Sequence, residues 1–179
     1  MLASDVTATH GVQELLISCV PVKRSASAVW FGTARTGDGM MMSHSGALDR
    51  VPFQYASRFT SNPGTSPEEL LAAAHAMCFT MTLSAALSDA GLEPERVATQ
   101  ALVSFSAVNG VWSITSSHLE VRAAVSDLDA GAFADYALAA KNSCPISRAL
   151  SVPVTLDAQL DLRRIAASAT VDKDPEPEP

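Results

Sequence analysis

The sequence predicts an α+β fold, because its strand-like and helical segments do not alternate in the regular order that builds a parallel sheet. Three observations carry this prediction. Strand-like segments precede one long apolar helix, a hairpin signal follows that helix, and two shorter helical segments lead to a last strand-like segment. At 179 residues the chain is expected to form one domain with a sizeable core.

Three strands are predicted before the long helix. The segments SASAVWFGTAR and MMMSHSG flank a turn that contains Gly37 and Gly39, which is typical of two paired strands. A third strand is predicted over residues 53–60, with Arg58 near its end. It leads into SNPGTS, a turn-forming segment that introduces the helix.

The long helix is predicted to begin after Ser66 and to end at Gly91. Ser66 is a good N-cap, Pro67 suits the first helical position, and Glu69 completes a capping box with Ser66. Nearly every face of this segment is apolar or small, which indicates a helix that is buried all round. One modest sheet covers one side only, so a second subunit is expected to cover the rest.

A membrane span is the competing interpretation of this apolar helix, since the segment reaches the required length. Its alanines, hydroxyl side chains and His75, together with the lack of basic flanks, argue against that interpretation. We therefore expect no membrane partner.

The C-terminal half begins with the signal for a long antiparallel hairpin. Asn109 and Gly110 separate two β-branched runs, and both central positions of such a turn need positive φ. Residues 127–142 have helical spacing, Pro145 can start a short third helix, and residues 152–160 alternate like a closing strand.

We divide the chain into three parts. Residues 1–24 form an N-terminal extension that contains Cys19, and its pattern fits a strand or a short helix. Residues 25–162 form the folded domain. Residues 163–179 form an acidic tail with prolines, which has too little apolar content to fold and is expected to be disordered.

Composition and charge limit the classes of function. The formal net charge of −7 argues against nucleic-acid binding, which requires clusters of Lys and Arg. The first twenty residues lack the basic region of a secretory signal, so a cytoplasmic location is expected. In that compartment the three cysteines favour catalytic, metal-binding or buried thiols over structural disulfides.

Two cysteines and a histidine are candidates for chemistry. Cys78 lies in the middle of the apolar helix, where an inert buried thiol is the usual interpretation. Cys144 stands just before Pro145 at a helix start, which lowers a thiol pKa, so local physics favours Cys144 as the more reactive thiol. His75 lies on the same surface of the helix as Cys78, and a packed, hydrogen-bonded histidine is favoured there over a ligand or base.

Arg58 needs an anionic partner if its side chain points inward, since a buried unpaired charge is costly. The candidates are Glu68, Glu69 and a thiolate, and a solvated arginine is the alternative. Glu69 lies nine residues before Cys78, on the opposite face of the helix. Glu69 can therefore act on Cys78 only through Arg58, or it serves a site in a partner subunit.

The segment SRFTSNPGTSPEELLAAAHAMCFTMTLSAALSDAG, together with NSCPISRAL, resembles the OsmC/Ohr family of thiol-dependent hydroperoxide reductases, in its OsmC branch. The resemblance spans about residues 28–160. It implies an OsmC-like fold, with antiparallel sheets around two long central helices in an intertwined homodimer. It also implies active sites at the subunit interface, with no metal and no organic cofactor.

By this resemblance, Cys78 matches the peroxidatic cysteine and Cys144 matches the resolving cysteine. Arg58 matches the arginine that lowers the thiolate pKa and orients the peroxide, and Glu69 matches the glutamate that holds that arginine. The implied substrates are organic hydroperoxides and hydrogen peroxide, with an external dithiol as reductant. The local preference for Cys144 conflicts with this assignment, and the sequence leaves the conflict open.

Two other classes of function are chemically reasonable. One is a metal site, because imidazole and thiolate suit zinc, although the chain has no CxxC pair. Its candidate ligands are His75, Cys78, Cys144 and either His44 or His118. The other is a noncatalytic module that binds an apolar ligand or partner in the same cavity.

Overall fold

The computed structural model describes residues 21–60 and 64–161. Residues 1–20 of the predicted extension, with Cys19, and the predicted tail at 163–179 lie outside the described residues. The order of elements confirms the predicted α+β class. These elements are β1 (Ala26–Phe31), β2 (Asp38–Ser43), β3 (Val51–Gln54), a 3-10 turn (Ala56–Arg58), α1 (Pro67–Asp89), β4 (Pro94–Val108), β5 (Val111–Val125), α2 (Ala130–Ser143), α3 (Pro145–Ala149) and β6 (Val154–Leu160).

The strands form two three-stranded sheets, β1-β2-β3 and β4-β5-β6. The predicted hairpin is confirmed, because β4 and β5 pair antiparallel through Asn109 and Gly110, with φ of 51° and 80°. The antiparallel description needs one correction, since β6 runs parallel to β5. The helices α2 and α3 lie between these two strands and provide the crossover that a parallel pair requires.

The third predicted strand is shorter than expected. It ends at Gln54, and a 3-10 turn follows it. The Ser57 hydroxyl donates to the carbonyl oxygens of Gln54 at 2.7 Å and Thr65 at 2.9 Å, so a local side-chain bond replaces a further strand pair. Arg58 therefore lies on a turn that leads into α1, and not on a strand.

Helix α1 begins and ends where the sequence predicts. The Ser66 side chain accepts the Glu69 backbone N–H at 3.1 Å, and Gly91 follows the helix with φ of 77°. One face of α1 is buried against β4, α2 and α3. With the neighbouring β5 and α2 this face forms the core, whose largest members are Phe79, Leu83, Leu87, Leu119, Val121 and Phe133.

The opposite face of α1 is open to solvent in the single chain. It consists of four small or apolar residues at four-residue spacing, Ala73, Met77, Met81 and Ala85. Met77 is 62% exposed and Met81 is 59% exposed. The helix is thus not buried all round by its own chain, because one sheet and two short helices cover only one side. We call this exposed face the methionine stripe.

By length and composition alone, α1 could also cross a membrane, with a mean hydropathy of 1.6. In the structure it packs along a sheet and two helices and carries His75 at its buried face. A core helix of this composition meets the same criteria as a membrane span.

The sheet β1-β2-β3 makes few contacts with the other described elements of the chain. Its principal contacts, within the described residues, are among its own strands and with the turn that follows β3. Several of its apolar side chains are exposed, including Val29 at 39%, Phe31 at 54% and Met42 at 38%. We call this sheet the N-terminal arm, because the body of its own chain does not cover it.

Candidate active site

Two helices bring Cys78 and Cys144 together. Cys78 lies in the middle of α1, and Cys144 lies between α2 and α3. Both are free thiols, and their side chains hydrogen-bond to each other. The backbone N–H of Ile146 donates to both sulfur atoms. The two cysteines that the sequence singled out, 66 positions apart, are therefore neighbours in the fold.

Cys144 is fully buried and surrounded by hydrogen-bond donors. Burial by itself raises the pKa of the Cys144 thiol, but hydrogen-bond donors from α3 and α1 outweigh it and lower the pKa below its usual value. These donors are the Ser147 backbone N–H, the Ser147 hydroxyl, the Cys78 thiol and the Ile146 backbone N–H. The donors of Ser147 and Ile146 reach the sulfur because α3 starts directly after Cys144 and its first N–H groups have no carbonyl partner in the helix, whereas the Cys78 thiol reaches it from α1.

At Cys78, by contrast, the effects that raise the thiol pKa are larger than those that lower it. Burial raises the pKa of its thiol, and the hydrogen bond from the Ile146 N–H only partly opposes this effect. The Cys144 side chain raises the Cys78 pKa further. Cys78 is partly exposed, whereas Cys144 is not. In the single chain, the more acidic thiol is thus Cys144 and the more accessible thiol is Cys78.

Arg58 forms a bidentate ion pair with Glu68. Its Nη2 lies 2.6 Å from Glu68 Oε1, and its Nε lies 3.4 Å from Glu68 Oε2. The hydrogen bond with Glu68 raises the pKa of Arg58. Burial by itself would raise the pKa of Glu68, but the hydrogen bond from Arg58 contributes to holding it below its usual value.

The carboxylate that holds Arg58 is therefore Glu68, and the sequence expectation of Glu69 is corrected. Glu69 is exposed, and its backbone N–H bonds to the Ser66 cap. Successive helical residues are about 100° apart around the axis, so when Glu68 faces the preceding turn, Glu69 faces away from it.

Arg58 is held at the start of α1, away from Cys78. Glu68 lies ten residues before Cys78, which corresponds to about 15 Å along the helix axis. A single chain therefore brings the two thiols together but leaves the guanidinium at another place.

An aromatic cluster surrounds the Arg58 guanidinium. The guanidinium carbon lies 4.6 Å from the centroid of the Phe105 ring, which is a cation–π contact. Phe105 stacks on Trp112 at 5.2 Å, and Phe59 contacts Trp112 at 4.8 Å and Tyr55 at 5.0 Å. Sequence reasoning missed this cluster, although the register set by the Asn-Gly turn places Phe105 and Trp112 on one face of the hairpin.

His75 is a buried, hydrogen-bonded core histidine, as the sequence favours. Its ring is fully buried, and its Nδ1 and Nε2 each lie 2.8 Å from a serine hydroxyl, of Ser117 and Ser147 respectively. Burial lowers the pKa of His75, which keeps the imidazole neutral. The two serines gave no signal in the sequence, because they come from β5 and α3.

The metal alternative has no ligand set in the described part of the chain. There, no three side chains of His, Cys, Asp or Glu come close enough together to hold a metal ion. His75, the proposed imidazole ligand, has hydroxyl partners on both of its ring nitrogens.

Comparisons with known proteins agree on one relationship. A family model described as OsmC-like protein matches residues 60–159. The Escherichia coli protein named Peroxiredoxin OsmC is 39% identical over 139 residues, which cover 78% of this chain and 97% of that protein.

Among solved structures, the organic hydroperoxide resistance protein OhrB of Bacillus subtilis is 26% identical, with a TM-score of 0.58 over 76% of this chain and 98% of OhrB. An OsmC-like protein of unknown function from Vibrio cholerae has a TM-score of 0.63 at 15% identity, over 77% of this chain and 99% of its own.

Proposed function

The chain belongs to the OsmC family, and from this premise we propose that it is a thiol-dependent peroxidase. It reduces organic hydroperoxides, and also hydrogen peroxide, through Cys78 and Cys144. The observation that carries this proposal is the contact between two free thiols, one partly exposed and one buried, that share the Ile146 N–H. The names of the relatives from Escherichia coli and Bacillus subtilis support the same class of activity.

Cys78 is the thiol that attacks the peroxide. A peroxide must reach the sulfur that it oxidises, and Cys144 has no exposed surface. Cys78 is partly exposed, so it is accessible even though its pKa in the single chain is the higher of the two. The Cys144 thiol, which is buried and more acidic, is suited to attack a neighbouring sulfur.

The reaction then has three balanced steps. The Cys78 thiolate attacks the terminal oxygen of ROOH, the O–O bond breaks, and the RO⁻ that leaves takes a proton to become ROH. The Cys144 sulfur attacks the resulting Cys78 sulfenic acid, and a disulfide forms as water leaves. An external dithiol reduces this disulfide by thiol exchange and is itself oxidised to a disulfide. No metal or organic cofactor takes part.

The active form is a homodimer in which a second copy supplies Arg58. A thiolate at Cys78 needs a nearby cation to offset its burial, and Arg58 of the same chain is bound to Glu68 at the start of α1. The methionine stripe and the N-terminal arm both leave apolar surface uncovered, which a second chain would bury. Arg58 stays paired with Glu68 of its own chain, so the start of α1 would bring the guanidinium to the Cys78 of the other copy.

The aromatic cluster next to Arg58 suits the apolar part of an organic hydroperoxide. The Phe105 and Trp112 rings stack beside the guanidinium, so a peroxide group held by Arg58 would have apolar surface next to it. We expect the protein to act in the cytoplasm, in defence against oxidative and osmotic stress. We expect no role for nucleic acid or membranes.

Single-turnover kinetics with cumene hydroperoxide test this proposal. The wild type should lose one pair of free thiols per subunit for each equivalent of peroxide. Cys78→Ser should consume no peroxide, whereas Cys144→Ser should complete one turnover and keep a sulfenic acid that dimedone traps. Cys19→Ser is the matched control and should behave as the wild type.

Two outcomes would contradict the proposal. If Cys144→Ser were inactive and Cys78→Ser completed one turnover, the roles of the two cysteines would be reversed. If the thiol count of the wild type did not change, a noncatalytic module that binds apolar ligands would be the better interpretation.

A further inference from the structure

A chain of side-chain hydrogen bonds runs from the second sheet through α1 to the sulfur of Cys144. His75 Nδ1 lies 2.8 Å from Ser117 Oγ on β5, and His75 Nε2 lies 2.8 Å from Ser147 Oγ on α3. The Ser147 hydroxyl in turn donates to the Cys144 sulfur. His75 is therefore one hydroxyl away from a reacting thiol, although the reaction described above gives it no part.

The directions of these hydrogen bonds follow from the number of hydrogens available. A hydroxyl has one hydrogen, so while Ser147 donates to the Cys144 sulfur, its oxygen is free to accept from His75 Nε2–H. A neutral imidazole carries hydrogen on one nitrogen only, so Nδ1 then accepts from the Ser117 hydroxyl. Burial keeps His75 neutral, as this arrangement requires.

On the premise of the proposed peroxidase function, we propose that His75 is a positioning residue that acts through Ser147. Its imidazole holds the Ser147 hydroxyl in the orientation that donates to the Cys144 sulfur. This donor stabilises the negative charge on the sulfur. Cys144 needs that charge to attack the Cys78 sulfenic acid and to leave when the dithiol reduces the disulfide.

Other titratable groups near Cys144 come from the helices packed around it. Cys78 on α1 bonds to the sulfur directly, and Tyr136 on α2 packs at the edge of the same core. Lys141 of α2 and Arg148 of α3 line a surface cleft together with Ser147. Of the described strands, β5 and β6 contribute apolar side chains to this core.

The test is a titration of the Cys144 thiol in the full chain. In a Cys19→Ser/Cys78→Ser background, Cys144 is the one remaining cysteine of the sequence. The ultraviolet absorbance of its thiolate can then be followed from about pH 5 to 10, a range that includes the usual thiol pKa. This readout needs neither peroxide nor access of a reagent to the buried sulfur.

Two variants should weaken the donor to Cys144. We expect His75→Leu and Ser147→Ala each to lower the thiolate fraction at neutral pH about tenfold, because each removes a hydrogen bond to a charged group. The double variant should have the same thiolate fraction as Ser147→Ala alone, since both substitutions break the same chain of hydrogen bonds. His75→Gln should have nearly the thiolate fraction of the parent, because the glutamine amide N–H reaches the position of His75 Nε2.

Thr80→Val is the matched control. It removes another side-chain hydrogen bond of α1, the one of 2.7 Å to Thr99, which does not involve Cys144. Its titration should match that of the parent. If His75→Leu does not fold, His75→Asn takes its place, because the shorter amide reaches Ser117 but not Ser147.

The proposal is overturned if the titration is unchanged in His75→Leu, whatever Ser147→Ala shows, or if it shifts in His75→Leu alone. The second result would mean that His75 does not act through Ser147. A wild type that consumed no peroxide would refute the proposed function, and this titration would still decide the role of His75.

Discussion

At the scale of single residues, the pair formed by Arg58 and Glu68 determines where the Arg58 guanidinium is held. Arg58 lies on a short turn and Glu68 at the start of α1, and the two side chains are 33% and 10% exposed. From the residues alone, Arg58 could be solvated or paired with Glu68, Glu69 or a thiolate, and the family resemblance chose Glu69, which is wrong. Which carboxylate pairs with Arg58 depends on how the turn before α1 is oriented toward the helix.

The pair should stabilise the fold in a pH-dependent manner. Glu68 has a folded pKa below its unfolded pKa, so its contribution is complete above about pH 4.5 and is lost as the pH falls through the folded pKa. We expect Glu68→Gln to lower the free energy of unfolding at pH 7 by about 1 kcal/mol, after allowing for the partial exposure of Arg58. The variant should also lose less stability than the wild type between pH 5 and pH 3.

Urea unfolding at several pH values measures this effect, and Glu69→Gln is the matched control. Because Glu69 is exposed, its substitution should change the free energy of unfolding by less than about 0.5 kcal/mol. Equal effects of the two substitutions would contradict the assignment of Glu68 as the partner of Arg58.

The neighbours of His75 illustrate a second limit of the sequence at this scale. A buried, hydrogen-bonded histidine was predictable from its apolar helix. Its partners Ser117 and Ser147 lie 42 and 72 residues away along the chain, so no local pattern connects them to His75. Their positions follow only from the packing of β5 and α3 around α1.

At the scale of elements, helix α1 has two apolar faces, of which the chain itself buries only one. The face with Phe79, Leu83 and Leu87 is buried in the chain's own core, and the methionine stripe is exposed. The sequence predicts the helix and its cap, because both depend on local residues. It does not reveal which apolar face the chain itself covers, since that depends on the number of layers around the helix.

We expect the methionine stripe to be the surface where two subunits meet. Met77→Lys/Met81→Lys places two charges on it and should convert a dimer into a monomer, because two unpaired charges cannot be buried at low cost. Light scattering after size-exclusion chromatography measures the mass. Leu138→Lys, at another exposed apolar position on a helix, is the control and should leave the mass unchanged.

At the scale of the whole molecule, the strand pairing made by a short turn could be predicted from the sequence, whereas the pairing made through a helical crossover could not. The Asn109–Gly110 turn is a two-residue signal, so the hairpin of β4 and β5 was predictable. The parallel pairing of β6 with β5 was not, because it depends on how α2 and α3 return the chain across the sheet. The family resemblance supplied the overall fold.

Mixed subunits test whether Arg58 serves the site of the other chain. Arg58→Ala and Cys78→Ser homodimers should each be inactive or nearly so. A refolded mixture should regain activity, because a mixed dimer then combines one intact Cys78 with one intact Arg58 at the same site. If Arg58 serves its own chain, the mixture stays inactive in a steady-state peroxide assay, whereas wild type mixed with Cys78→Ser provides the positive reference.

The exposed apolar residues of the N-terminal arm link the stability of the protein to its concentration. Val29, Phe31 and Met42 face water in the lone chain, and in the proposed homodimer another copy would cover them, so part of the stabilisation of those strands would be gained only on association. Folding and association of the proposed homodimer would then be one equilibrium governed by mass action. For such a protein, dilution acts as a denaturant, and the amount that a cell makes helps to determine how firmly each copy is folded.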